Sequence, residues 1–333
     1  MTDSAARNIL WSWRNAAFGA VISSVAAVSI ALGHVENGLY LLIGMIPAAI
    51  IGLPPVRQDR RKVLIVGILF GISVVIGSVL AQWAPLAVVG MFLIGLSAAL
   101  LAAKKPIGFA VLTICLPLTG IGLTYTDFGT GVGVGLLFIV GSAIAFIAAM
   151  AFPEYRAPVS PDPPLLSSAM ARDYGLRLGL AAALGTALCI YFGAEYTGWI
   201  VGSTLLVMRP SDEMMELRGV GRAVSVFVGA VVAAWLLTLD LSPLAIAVVG
   251  AGGIIAMAAT NASRWYVTPA FTTFLILWAL LYEQASRANI QHRFSQRVLG
   301  TLLGIGIAYV FGFLVPKLTR RRTAQAEVPA VQE

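Results

Sequence analysis

Charged side chains are scarce in this chain. They make up 11% of its 333 residues, against roughly 25% in a soluble domain. A water-facing shell cannot be built from so few charges, so lipid must replace water over most of the surface. Histidine and cysteine are scarcer still, at two each. His34 and His292 fall between apolar runs and lie far apart in sequence; Cys115 and Cys189 sit inside apolar runs. Neither pair has the spacing of a metal site or a disulfide framework. The phosphate-cradling G-x-x-x-x-G-K-[ST] motif is missing, and so is the zinc-protease H-E-x-x-H. Nucleotide-driven transport and zinc proteolysis therefore have no residues to carry them. The chain reads as a non-enzyme with no cofactor and no metal.

What is abundant is apolar sequence. Hydrophobic residues make up 59%, and the mean hydropathy is +0.90. Twelve stretches lack Asp, Glu, Lys and Arg: 15–33, 37–53, 63–81, 83–103, 106–126, 128–152, 178–194, 196–208, 223–239, 241–263, 265–282 and 298–316. About 20 helical residues cross a ~30 Å hydrocarbon core. The runs are continuously apolar rather than alternating, which favours helices over a barrel. The first run has no cleavage site after it and reads as a span. The expectation is an all-α polytopic membrane protein with about twelve transmembrane helices.

The net charge of +7 reads as membrane orientation rather than as a nucleic-acid surface. With the N-terminus inside, 19 of the 22 Lys and Arg fall in inner segments. Only Arg287, Arg293 and Arg297 fall in outer loops. This split predicts cytoplasmic N- and C-termini and a multi-pass protein of the inner (plasma) membrane.

The runs form two sets of six with matching features. "APLAVVGMFLIGLSAALLAA" from Ala84 resembles "SPLAIAVVGAGGIIAMAATN" from Ser242, and "GSAIAFIAAMAFP" from Gly141 resembles "GIGIAYVFGFLVP" from Gly304. "ENGLY" from Glu36 resembles "EYTGW" from Glu195. Six is an even number, so the repeats are expected to be parallel. The expected units are a first repeat at 1–152, a Pro-rich cytoplasmic linker at 153–173, a second repeat at 174–316, and a basic, then disordered, tail at 317–333.

Short or Pro-interrupted spans at matching positions point to a binding cavity. The second span of each half fits: 37–53 contains Pro47, and 196–208 is short and ends in Arg209-Pro210. The bland alternative is a tilted helix. Arg209 adjoins an apolar run, where a cation costs several kcal/mol unless it meets water or an anion, or snorkels to the interface. Arg222 opens the ninth span, and Arg297 leads into a Gly-rich helix on the side where topology gives a cation no purpose. Trp199, Trp265 and Tyr266 lie near span ends, where an aromatic belt competes with a substrate-stacking role. Four acids, Glu36, Glu195, Asp127 and Glu283, recur at matching outer positions. They are candidates for proton coupling or plain hydrated loop residues.

The second half carries a family resemblance. "RLGLAAALGTALCIYFG" from Arg177, "GWIVGSTLLVMRP" from Gly198, "LRGVGRAVSVFVGAVVAAWLL" from Leu217 and "FSQRVLGTLLGIGIAYVFGFLV" from Phe294 follow in an order that resembles the fusaric acid resistance protein-like family, which includes aromatic acid exporters. The first half matches more weakly, through "GLPPVRQDRRKVLIVGILFG" from Gly52. The resemblance implies efflux of small organic anions, foremost aromatic carboxylates, driven by protons. Arg209, Arg222 and Arg297 would then hold the carboxylate, with Trp199, Trp265 or Tyr266 against the ring. Implied partners are the anion and the lipid bilayer, with room for a homo-oligomer or a periplasmic adaptor. Two alternatives remain open: an anion channel of related six-helix architecture, and a major-facilitator-type drug exporter.

Overall fold

The computed structural model describes residues 9–156, 167–193, 197–209, 212–239, 241–263, 266–282 and 287–318. Among these, every regular element is helical. In the first half the helices are α1 (Trp13–Ala31), α2 (Val35–Gly44), α3 (Ile46–Ile51), α4 (Arg61–Ala81), α5 (Ala84–Ala102), α6 (Ile107–Ala110), α7 (Leu116–Gly122) and α8 (Phe128–Met150). In the second half they are α9 (Ser168–Tyr191), α10 (Thr197–Val207), α11 (Asp212–Leu237), α12 (Pro243–Ala259), α13 (Val267–Leu281) and α14 (Arg287–Tyr309). A π-helical turn, Val111–Cys115, joins α6 to α7, and another, Val310–Leu314, extends α14.

Each of the twelve apolar runs falls on one helix or on one broken helix. Among the described residues, seven helical segments are long and apolar enough to cross a membrane, and the other apolar helices are shorter. The second run is broken between α2 and α3 because Pro47, near the start of α3, cannot donate to the preceding turn. Large apolar side chains face outward along the helices; Ile147 is 70% exposed and Leu303 59%. A surface of this kind needs lipid to cover it. The chain is an all-α polytopic membrane protein.

Charge-based reading shortens three helices. α9 begins at Ser168, where the Ser167 hydroxyl accepts the Met170 N–H. It therefore takes in the end of the stretch expected to be a linker. Its first turns are carried by an i,i+4 pair, Arg177 to Asp173 at 2.7 Å. α11 and α14 likewise start among polar residues, well before their apolar runs. This moves Arg297 and His292 out of the expected outer loop and onto α14.

The packing follows one scheme twice. In the first half α1 packs on α2, α2 on α8, and α4 on both α7 and α8. In the second half α9 packs on α10, α10 on α14, and α11 on both α13 and α14. Contacts between the halves also come in matched pairs: α1 with α12 answers α5 with α9, and α2 with α13 answers α7 with α10. Small residues allow these approaches. A Cβ on Gly95 would lie 3.0 Å from the Gly179 Cα, and one on Gly19 would lie 2.9 Å from the Ile255 Cα.

Two buried polar nodes fix the rim at which α1 begins. Gly52, at φ +70°, ends α3. Beside it Asn15 accepts the Leu53 N–H at 3.0 Å and donates to Asn261 at 2.9 Å, while Asn261 donates to the Ile51 carbonyl at 2.8 Å. Arg60, fully buried, donates to the carbonyls of Ala149, Phe152 and Pro153 at 2.7–3.1 Å. It closes the end of α8 as a cation at a helix C-terminus should.

Candidate functional site

Four helices of the second half, α10, α11, α13 and α14, enclose the most polar part of the interior. α10 and α14 meet closely because α14 carries Gly300 and Gly304 on the shared face. A Cβ on Gly304 would collide with Ser203 and the α10 backbone. The Thr204 hydroxyl, 3.0 Å from both the Ile200 and Gly304 carbonyls, ties the two helices together. This contact sets the height of the residues one and two turns earlier on α14, including Arg297.

Arg297 is buried. Its guanidinium carbon lies 4.8 Å from the centroid of the Trp199 ring, and its Nη2 donates to Thr273 Oγ1 at 3.1 Å. Arg222, also buried, donates through Nε to Ser203 Oγ at 3.4 Å. Arg222 stands close enough to Arg297, and to Arg209, for their repulsion to be felt. Arg209 is buried just past the end of α10, where it donates to the Leu205 and Met208 carbonyls at 3.3 and 2.7 Å. The Tyr174 hydroxyl donates to the same Met208 carbonyl at 3.1 Å.

No carboxylate answers these three cations among the described residues. The ion pairs found there, Lys62 with Asp59 and Arg177 with Asp173, lie elsewhere. An unanswered buried cation costs several kcal/mol even after relaxation. Arg209 offsets part of that cost through two helix-end carbonyls, a capping role. Among the described residues, Arg222 and Arg297 are met by neutral hydroxyls and a ring face.

The other sequence candidates divide. Trp199 is at the site, but its face is covered by Arg297, so it positions the cation rather than offering an open ring. Tyr266 stands at the start of α13, about two helical turns from Thr273. Glu36 lies in the first turn of α2, away from the arginines. Asp127 is the exposed N-cap of α8. It accepts the hydroxyl and the backbone N–H of Thr130, each at 2.7 Å, and these bonds hold its carboxyl below the ordinary value. Trp265, Glu195 and Glu283 lie outside the described residues. Sequence reasoning missed Ser203, Thr273 and Tyr174. The signal available was a hydroxyl within an apolar run close to an arginine.

Residues 180–294 match the fusaric acid resistance protein-like family. The match runs from within α9 to the first turns of α14. It takes in Trp199, Ser203, Arg209, Arg222 and Thr273, and stops just short of Arg297. Neither curated proteins nor solved structures give a significant match. The match covers part of the second half, within a fold that is that of a polytopic membrane protein.

Proposed function

We propose that this protein is an efflux carrier for small organic anions, with aromatic carboxylates as its substrates and the proton gradient as its driving force. The observation that carries this reading is that Arg222 and Arg297 are both buried in the same four-helix region, with no ion pair to an acid among the described residues. A carboxylate between them would accept charge-assisted hydrogen bonds, which are about twice as strong as neutral ones. Placing the carrier in the inner membrane, with both termini cytoplasmic, follows from the lysine and arginine bias. The doubled packing scheme supports two copies of one six-helix unit in a single chain, with repeat, linker, repeat and tail in that order. Glu195 and Glu283, with Glu36 and Asp127 as further candidates, are the acids that would carry the proton.

The test is flux of labelled benzoate in proteoliposomes, with and without an imposed pH gradient. The expected result is gradient-driven flux that falls at least ~10-fold in Arg297→Gln. Flux that follows membrane voltage alone and ignores the gradient would replace the carrier with a channel. Transport of uncharged drugs in place of benzoate would replace it with a drug exporter.

A further inference from the structure

The two halves share a packing scheme, but their interiors differ. The buried cation of the first half, Arg60, is spent on three carbonyls. Arg61 and Lys62 are exposed at the rim, and Lys62 pairs with Asp59 at 2.9 Å. Aligning Gly141 with Gly304 puts Val134 where α14 has Arg297. The first half thus has no counterpart to the anion site.

The opposite rim differs in the same sense. In the first half the turn after α4 is tied to the end of α7. The Ser78 hydroxyl donates to the Tyr125 carbonyl at 2.7 Å, and Gln82 Nε2 donates to the Thr126 carbonyl at 2.9 Å. Tyr282 parallels Tyr125 by the repeat. In the second half the ends of α11 and α13 border a cleft of ≈ 370 Å³ lined by Leu236, Thr238, Leu239, Ile246, Trp278 and Tyr282, among others. That volume is in the range of small-molecule sites, and the lining mixes the rings of Trp278 and Tyr282 with leucines and the polar Thr238.

Inward of the cleft, the seam between α11 and α13 is closed by packing. Going inward the seam passes Leu236 and Trp278, then Ala233, then Gly229 against Ala270 and Thr273. A Cβ on Gly229 would run into the Ala270 carbonyl. The seam is therefore shut beside Thr273, which holds Arg297. From Trp278 to Thr273 is about 7.5 Å along the helix.

We propose that this cleft is the outer mouth of the anion's route to Arg297. The route runs inside the second half, along the α11–α13 seam, while the first half is sealed. The apolar body of an organic anion leaves past Trp278 and Tyr282, and Gly229 is the point at which the helices part. This rests on the reading of the arginines as an anion site and on the orientation proposed above.

The experiment uses the full chain in cells, with Cys115→Ser and Cys189→Ser as background. An impermeant, anionic sulfonatoethyl thiosulfonate reagent is added from outside. Thr301→Cys, one turn from Arg297, is expected to be labelled. Leu239→Trp, which fills the cleft at a partly exposed position, is expected to slow that labelling at least ~10-fold, a threshold of one decade. Thr119→Cys, buried on α7 of the first half, is expected to stay unlabelled. If Thr301→Cys does not behave as a folded protein in size-exclusion chromatography, Thr273→Cys takes its place. Labelling that ignores Leu239→Trp, labelling of Thr119→Cys at the same rate, or no labelling at either site position overturns the proposal. Labelling needs no transport, so benzoate binding to the same purified proteins separates failure of the route from failure of the anion site.

Discussion

Arg297 holds its guanidinium over the Trp199 ring at 4.8 Å while bonding Thr273 at 3.1 Å. The ring and the hydroxyl fix the direction of a cation that no acid among the described residues neutralises. Removing the ring should release the arginine rather than remove a substrate contact. A desolvated cation–π contact is worth about 2 kcal/mol, so Trp199→Leu should weaken benzoate binding roughly 10- to 30-fold, and Trp199→Phe much less. Thr273→Val should weaken it by a smaller factor. If Trp199→Leu alters selectivity among ring substituents and leaves affinity for acetate and benzoate alike unchanged, the ring faces substrate instead. Binding series on purified protein would tell the two apart.

Arg60 is a contrasting arginine. It is equally buried, but both of its terminal nitrogens are engaged with backbone carbonyls. Arg60→Gln should leave those carbonyls short of donors and cost about 3 kcal/mol or more. Benzoate flux per folded molecule should not change. Thermal unfolding in detergent and flux normalised to folded protein are the measurements. A stable variant that has lost flux would move Arg60 into the transport path.

Asp127 separates capping from proton carriage. The Thr130 bonds hold its carboxyl pKa below the ordinary carboxylate value. A depressed acid contributes stability at neutral pH and loses it as pH falls through its folded-state value. Wild type should therefore lose α8 stability below about pH 4, whereas Asp127→Asn, still a good cap, should lose less there. Between pH 5 and 8 the flux profile of Asp127→Asn should overlay that of wild type. A displaced profile in that range would make Asp127 a coupling residue.

Gly229 is where α11 lies against α13. A methyl group there has no room, and overpacking typically costs 1–3 kcal/mol. Gly229→Ala should lower the thermal midpoint and slow benzoate flux several-fold by holding the seam ajar, with the affinity of the arginine site changed far less. An affinity loss as large as the loss of flux would place Gly229 in the site itself.

The helical course of the chain was legible because lipid admits little charge, so uncharged runs mark what it surrounds. Where charges pair along a helix, as Asp173 and Arg177 do, the helix outruns its apolar run, and the starts of α9, α11 and α14 were read too late. That is why Arg297 was expected in a loop and lies on a helix. The arginines themselves stood out against apolar sequence. Their partners did not, since Ser203 and Thr273 look like any hydroxyl within an apolar run, and only helix packing brings them to Arg222 and Arg297. The contact between Trp199 and Arg297 was not legible either, because it too depends on how α10 packs against α14.

The most direct measurement is equilibrium binding of benzoate and of uncharged benzamide to the purified chain and to Arg222→Gln and Arg297→Gln. Two unanswered arginines require saturable benzoate binding, at least ~10-fold weaker in each variant, and benzamide binding that is weak and indifferent to both changes. Benzoate affinity that survives the loss of both arginines, or benzamide bound as tightly as benzoate, would contradict the account.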